Sequence, residues 1–426
     1  MEPRRLRCAT DLTGAVSSCR GAAAIGFCTV LFLTAPRGLA AQETSSCAPC
    51  HEKERAQEEK SVHLREGVAC TDCHGGDPKE IDKGRAHADR VKKVPHTEVP
   101  KLCGGCHADV RRMNPYGLPT DQLSRYQTSR HGEVLAQGDT EVATCTDCHR
   151  AHGVLSVKSP DSPVYPRNVP GTCGRCHGDE ELMKKRGKKS TAPALYRQSV
   201  HAALLFDKGD LSAPTCATCH GNHGAVPPGV RDITHVCGKC HVKEHEVFER
   251  SPHFQPTRQG DFKGCVQCHT NHKILKSPAD IRKKCGLCHD EDHPGPKRFD
   301  AIFARIDRGE AALRRTGERL EELTRAGFHT EDDRVLWEQA KTANRQILPG
   351  QHALDLKTVE DLASTAEKTL AEVDRSLEEK EKSKRVRRLA LVPIWGFLVV
   401  MAGLFWAKRK AVEKRAGSAP SPGDRE

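Results

Sequence analysis

Eighteen of the 21 cysteines fall into nine pairs spaced Cys-x-x-Cys, and a histidine follows every pair at once. The sets are Cys47, Cys50 and His51; Cys70, Cys73 and His74; Cys103, Cys106 and His107; Cys145, Cys148 and His149; and Cys173, Cys176 and His177. After them come Cys216, Cys219 and His220; Cys237, Cys240 and His241; Cys265, Cys268 and His269; and Cys285, Cys288 and His289. No cysteine beyond residue 46 is left over. Two thiols about one helical turn apart can each form a thioether with a haem vinyl group, and the next imidazole then points at the iron. A zinc site would combine pairs from separate hairpins and would not need a histidine after every second cysteine. A redox-active dithiol would not recur nine times. The spacing therefore predicts nine covalently attached c-type haems.

Fourteen histidines lie outside these motifs, and several recur in register. Tyr126, Ser129 and His131 precede the motif at Cys145, then comes His152, then the motif at Cys173. Tyr196, Ser199 and His201 stand in the same order before Cys216, His223 and Cys237. Phe248, Ser251 and His253 stand so before Cys265, His272 and Cys285. The repeating unit is aromatic-x-x-Ser-x-His, a motif with a histidine three places on, and a second motif. The stretch from Ser61 and His63 to His107 is a degenerate copy: it lacks the aromatic, and Asp77 stands where the later histidine belongs, so that His87 or His96 must substitute. The motif at Cys47 stands outside the four copies.

These counts predict the iron ligands. His63, His131, His201, His253, His152, His223 and His272, with His87 or His96, supply eight second ligands; the ninth comes from His245, His293 or His352. The methionines beyond the leader are Met113, Met183 and Met401, so His/Met ligation could serve two haems at most. Mostly bis-histidine, six-coordinate iron is expected, which favours low potentials and outer-sphere electron transfer over substrate chemistry. Which spare histidine faces which motif stays open, since ligands can come from other repeats. The competing function is a multihaem reductase of a small nitrogen or sulfur compound with one open iron; the haem at Cys47, outside the repeats, is its best candidate.

The rest of the chain must hold and deliver this cluster. Only 36% of the 426 residues are hydrophobic and 4% aromatic, too few for an ordinary enzyme with a large hydrocarbon core. Arg4, Arg5 and Arg7, an apolar run and Gly38–Ala40 predict a Sec-type signal peptide over residues 1–41, and hence export to the compartment where c-type haem is attached. The formal charge of +11 is no sign of nucleic acid, because two propionates per haem would more than cancel it. Beyond His293 the cysteines stop, and apolar residues at helical spacing predict two or three antiparallel helices over 298–385, packed on each other and on the last haems, with His352 at a break before the third. Leu389 to Ala407 carries no charge over nineteen residues, which predicts a transmembrane anchor over 386–408 and a cytoplasmic tail over 409–426. The expected fold is a mainly irregular, short-helical haem domain over 42–297 with a porphyrin-filled core, followed by a helical bundle or hairpin and one C-terminal transmembrane helix.

The nine motifs, the doubled unit and the tail anchor together resemble the membrane-anchored multihaem c-type cytochromes of anaerobically respiring bacteria, the doubled CxxCH family. That resemblance implies a haem domain on the periplasmic face of the inner membrane. It further implies electron flow between a membrane donor (the quinone pool or a dehydrogenase) and periplasmic or outer-membrane acceptors. The partners implied are redox proteins and a b-type or quinone-reactive membrane subunit. The quinol-oxidising tetrahaem members of the group are shorter and carry their anchor at the N-terminus, a departure that sets direct quinol oxidation by this chain apart from the expectation.

Overall fold

Frequent glycine and proline break the motif region into short pieces. In the computed structural model, which describes residues 45–88, 92–226 and 233–416, no helix between Glu52 and Cys285 exceeds nine residues. The described residues contain helices, turns and loops and no strand. The predicted signal peptide and the end of the tail lie outside them.

The repeat seen in the sequence is a physical unit. Ser61, Ser129 and Ser199 are buried and extended, and each hydroxyl accepts a backbone N–H of the short helix it starts: His63 at 3.1 Å, Gly132 at 3.1 Å and Ala202 at 3.0 Å. This cap fixes where the following histidine points. The aromatic three places earlier pins the same segment: the Tyr126 hydroxyl donates to the Ala143 carbonyl and the Tyr196 hydroxyl to the Pro214 carbonyl, both at 2.9 Å. These carbonyls stand two residues before Cys145 and Cys216. Burial pushes both phenols up to about 12. In the degenerate copy Glu58 holds the aromatic position, and its carboxylate accepts the Gly153 N–H at 3.0 Å.

Successive units are tied by a recurring backbone bond. Val62 N–H donates to the Val154 carbonyl at 2.8 Å, Arg130 to Ala225 at 3.0 Å and Val200 to Ile274 at 3.4 Å. In each case the donor follows the capping serine of one unit, and the acceptor lies two residues after the late histidine of the next. The chain reaches that acceptor by a sharp turn after the first motif, where Gly75, Arg150, Gly221 and Thr270 all have positive φ, from 61° to 84°. With ψ near ±160–180°, this region suits glycine and strains the arginine and the threonine.

Apolar packing is concentrated at the other end. The three hydrophobic clusters among the described residues are built by three helices, α1 (Pro294–Arg325), α2 (Glu331–Arg345) and α3 (Leu356–Ala416), with Ile347 joining from the short helix after α2. Phe299, Ile302, Ile306, Leu313, Thr316, Leu320 and Leu323 are buried on α1, and Val359, Ala363, Ala366, Leu370, Val373 and Leu377 on α3. Their alternating steps of three and four are the 3.5-residue period of a coiled-coil seam. Ile302 meets Val359, Leu313 meets Leu370 and Leu320 meets Leu377, so α1 and α3 run parallel with α2 antiparallel between them. Consecutive helices are thus antiparallel: α2 and the turn after it carry the chain back to the motif region before α3 sets off. Arg319 bridges Asp374 at 2.8 Å and Glu381 at 3.0 Å, and Arg305 meets Glu367 at 2.7 Å, which fixes the register of the parallel pair.

Two boundaries also move. The bundle begins at Pro294, where the His293 side chain accepts the Gly295 N–H, rather than at 298. The third helix and the apolar segment are one element, since strong helix formers run unbroken from Leu356 and Pro393 removes one hydrogen bond without ending the helix. This is one helix long and apolar enough to cross a membrane, and its side chains from Leu389 to Trp406 are exposed, apart from the half-buried Met401.

Candidate haem-binding site

The local fold brings each Cys-x-x-Cys-His to one face of a single turn, since residues three and four apart on a helix are neighbours. The first motif of every unit is its own five-residue helix: Cys70–His74, Cys145–His149, Cys216–His220 and Cys265–His269. Three of these are capped from inside the motif. Asp72 accepts the Ala69 N–H, Asp147 the Thr144 N–H and Thr218 the Thr215 N–H, at 2.7 to 3.0 Å. The second motifs of the first two units end the nine-residue helices Val99–His107 and Val169–His177, which have a proline in the first turn, while those of the last two units begin at the end of the helices Ile233–Gly238 and Pro278–Cys285. The thiols from Cys50 to Cys288 form no disulfide.

Each of the nine motif imidazoles faces one further histidine among the described residues. The second-motif histidines look back within their own unit: His107 faces His63, His177 faces His131, His241 faces His201 and His289 faces His253, with ring centroids 6.1 to 6.3 Å apart. The first-motif histidines face the next unit: His74 meets His152, His149 meets His223 and His220 meets His272, at 6.0 to 6.1 Å. His51 meets His87 at 6.2 Å, and His269 meets His352 at 6.1 Å. Two imidazoles bound to one metal through Nε2, at about 2 Å per bond, hold their centroids about 6 Å apart. The gap is the size of an iron, repeated nine times.

The ring nitrogens are oriented to match. The Nδ1–H of His269 donates to the Leu275 carbonyl at 2.8 Å, that of His74 to Lys92 at 3.1 Å, that of His220 to Val226 at 3.3 Å and that of His87 to Lys83 at 2.8 Å. Such a bond sets the tautomer and leaves Nε2 with a free lone pair for a metal. Burial lowers the pKa of His107, His131, His149, His177, His201, His223, His253, His272 and His352, which favours the neutral imidazole that a metal needs.

His96 is not brought to any motif imidazole. Its Nε2 bonds Asp147 at 2.7 Å and Thr144 at 3.1 Å, tying the first unit to the second motif helix beyond it, while His87 takes the position facing His51. Of the three candidates for the ninth partner, His352 fills the place. His293 stacks on His289 at 4.0 Å, and His245 packs against His235 at 5.6 Å. Among the described residues no three His, Cys, Asp or Glu side chains converge as a zinc site requires. Adjacent motifs also touch through their thiols, Cys103 with Cys145, Cys173 with Cys216 and Cys237 with Cys265, so the motifs follow one another in space as they do in sequence.

Comparison with known proteins agrees with this chemistry. The family model for the doubled CXXCH motif matches residues 62–112, which take in nearly all of the degenerate copy of the repeat. The high-molecular-weight cytochrome c of Nitratidesulfovibrio vulgaris is 26% identical over 291 residues, 58% of this chain and 50% of that protein. The chain is similar to multihaem c-type cytochromes. A further relative, the C-type polyheme cytochrome OmcC of Geobacter sulfurreducens, is 21% identical over 249 residues, 56% of this chain and 27% of OmcC. The chain thus spans about half the length of the first relative and about a quarter of the second. No solved structure matches.

Proposed function

We propose that the chain is a nine-haem electron carrier, anchored in the bacterial inner membrane with its haem domain in the periplasm and its C-terminus in the cytoplasm. It would pass electrons from a membrane donor, the quinone pool or a dehydrogenase, to periplasmic or outer-membrane acceptors in anaerobic respiration. The observation that carries this is the complete set of facing imidazoles, one pair for each motif at a nearly constant separation. Haem c, when bound, supplies a one-electron couple at each position.

The residues do the rest. The cysteine pairs of all nine motifs would hold the macrocycles covalently. His51, His74, His107, His149, His177, His220, His241, His269 and His289 would bind one side of each iron; His87, His152, His63, His223, His131, His272, His201, His352 and His253 would close the other. Closing both sides excludes substrate and favours electron transfer. The motif region fits a porphyrin-filled interior, for its described residues form no hydrophobic cluster. Lys60 and Arg150 line a cleft beside His152, where they would counter propionate charge.

The bundle supports a partner-fed role. From Leu356 to the start of the apolar segment at Leu389, the helix runs about 50 Å at roughly 1.5 Å per residue. His352, just before that helix, is therefore held far along it from a bilayer, which favours delivery by a b-type or quinone-reactive membrane subunit. Exchange with other redox proteins would complete the path; nucleic acid is not a partner.

The test is a potentiometric titration of the purified protein with parallel turnover assays. Uptake of nine electrons per chain at low potential, without turnover of nitrite, hydroxylamine or sulfite, is expected. Steady reduction of one of these compounds at a single haem would replace the carrier by a multihaem reductase.

A further inference from the structure

The array follows a rule that its last unit cannot obey. A first-motif histidine is faced by the late histidine of the following unit: His74 by His152, His149 by His223, His220 by His272. No unit follows the fourth, so His269 has no such histidine to meet. The backbone ties run into the same limit. Val62, Arg130 and Val200 each donate an N–H to the next unit, and in the fourth unit that position is Pro252, which has no N–H to satisfy. The sequence therefore ends the array at the fourth unit in one register position and leaves one imidazole unmatched in another.

The imidazole that meets His269 comes from outside the array. His352 lies on the turn Gln351–Ala353, between the short helix Ile347–Gly350 and the start of α3. Its Nδ1–H donates to the Pro349 carbonyl at 3.1 Å, and the Nδ1–H of His269 donates to the Leu275 carbonyl, so the two Nε2 atoms are left for each other's side. The rings are 6.1 Å apart with 26° between planes. The turn is held from below by the bundle core, where Ile347 packs with Ile302 and Val359, and Ala353 is buried. Gly350 lets the turn sit close to α3, since a Cβ there would meet Leu362 at 2.6 Å. His352 is thus fixed by the same contacts that build the base of the bundle.

We propose that the helical domain is the closing cap of the haem array, and that His352 supplies the sixth iron ligand of the haem attached at Cys265 and Cys268. This rests on the bis-histidine reading above and adds to it that one haem is completed by the domain that leads to the membrane. Detaching or displacing that domain would open this haem and leave the other eight closed.

The experiment compares full-length holoprotein with H352A and H352M. Covalent haem is counted by mass, high-spin iron by spin-quantified EPR, and carbon monoxide binding by the reduced difference spectrum. The wild type should carry nine low-spin haems and bind no carbon monoxide. H352A should keep nine haems, turn one of them high-spin and bind one carbon monoxide per chain; adding imidazole should restore the low-spin state. H352M should stay low-spin with one potential raised, a readout available should the alanine variant fail to accumulate. If the wild type shows nine low-spin haems and H352A or H352M leaves every spectrum and potential unchanged, the cap is overturned while the wider reading stands. Fewer haems or abundant high-spin iron in the wild type would instead refute the bis-histidine reading itself.

Discussion

Replacing His223 by alanine should damage a haem that belongs to another unit. His223 follows the motif of the third unit, yet its ring stacks opposite His149 of the second, at 6.1 Å and 12° between planes. Burial lowers the pKa of both imidazoles, so neither is a solvated loop side chain. The Arg130 to Ala225 backbone bond at 3.0 Å does not involve the side chain and should hold the loop in place. The expected loss of stability is therefore only about 1–3 kcal/mol, the ordinary range for deleting one buried side chain. The spectroscopic effect should be confined to one haem in nine. The assay is a cycle of His149→Ala, His223→Ala and the double variant, with high-spin iron and attached haem counted in each. If the two histidines share an iron, the double variant perturbs the same single haem as either single change. Two perturbed haems in the double variant would refute the exchange of ligands between units.

Further outcomes follow from the packing around the site. Tyr196→Phe removes the bond to the Pro214 carbonyl and should lower stability by about 1 kcal/mol in a thermal melt, since a half-buried acceptor loses its donor. Phe248 holds the same register position in the fourth unit, so haem content should not change. Thr270→Gly relieves a backbone conformation that Gly75 and Gly221 adopt freely, and should raise stability by about 1 kcal/mol after loss of the hydroxyl bond to Lys273. A stop codon before Leu389 should move the protein from the membrane to the soluble fraction with its haem spectrum unchanged, because the buried stripe of α3 ends at Leu377.

Much of the site was legible in the sequence because its chemistry is local. A thiol pair and an imidazole within five residues declare themselves, and seven partner histidines recur in register. What could not be read was the pairing. His131 and His152 stand in the same unit and serve different neighbours, because the turn after the first motif sends the late histidine back to the preceding unit. His96 looked equal to His87 by position, yet the carboxylate of Asp147 binds it. His352 gave only a weak signal, a lone histidine at a helix break, although the Pro252 that ends the array was in plain view. In the bundle, the heptad spacing disclosed the helices and their buried faces.

The most direct test is the number of haems covalently held by the purified chain. Intact mass together with a haem assay should give nine per polypeptide, with every cysteine from Cys47 to Cys288 alkylated by porphyrin and no thiol left to react. A chain that carries zinc, free thiols or only one or two haems would contradict the account at its root.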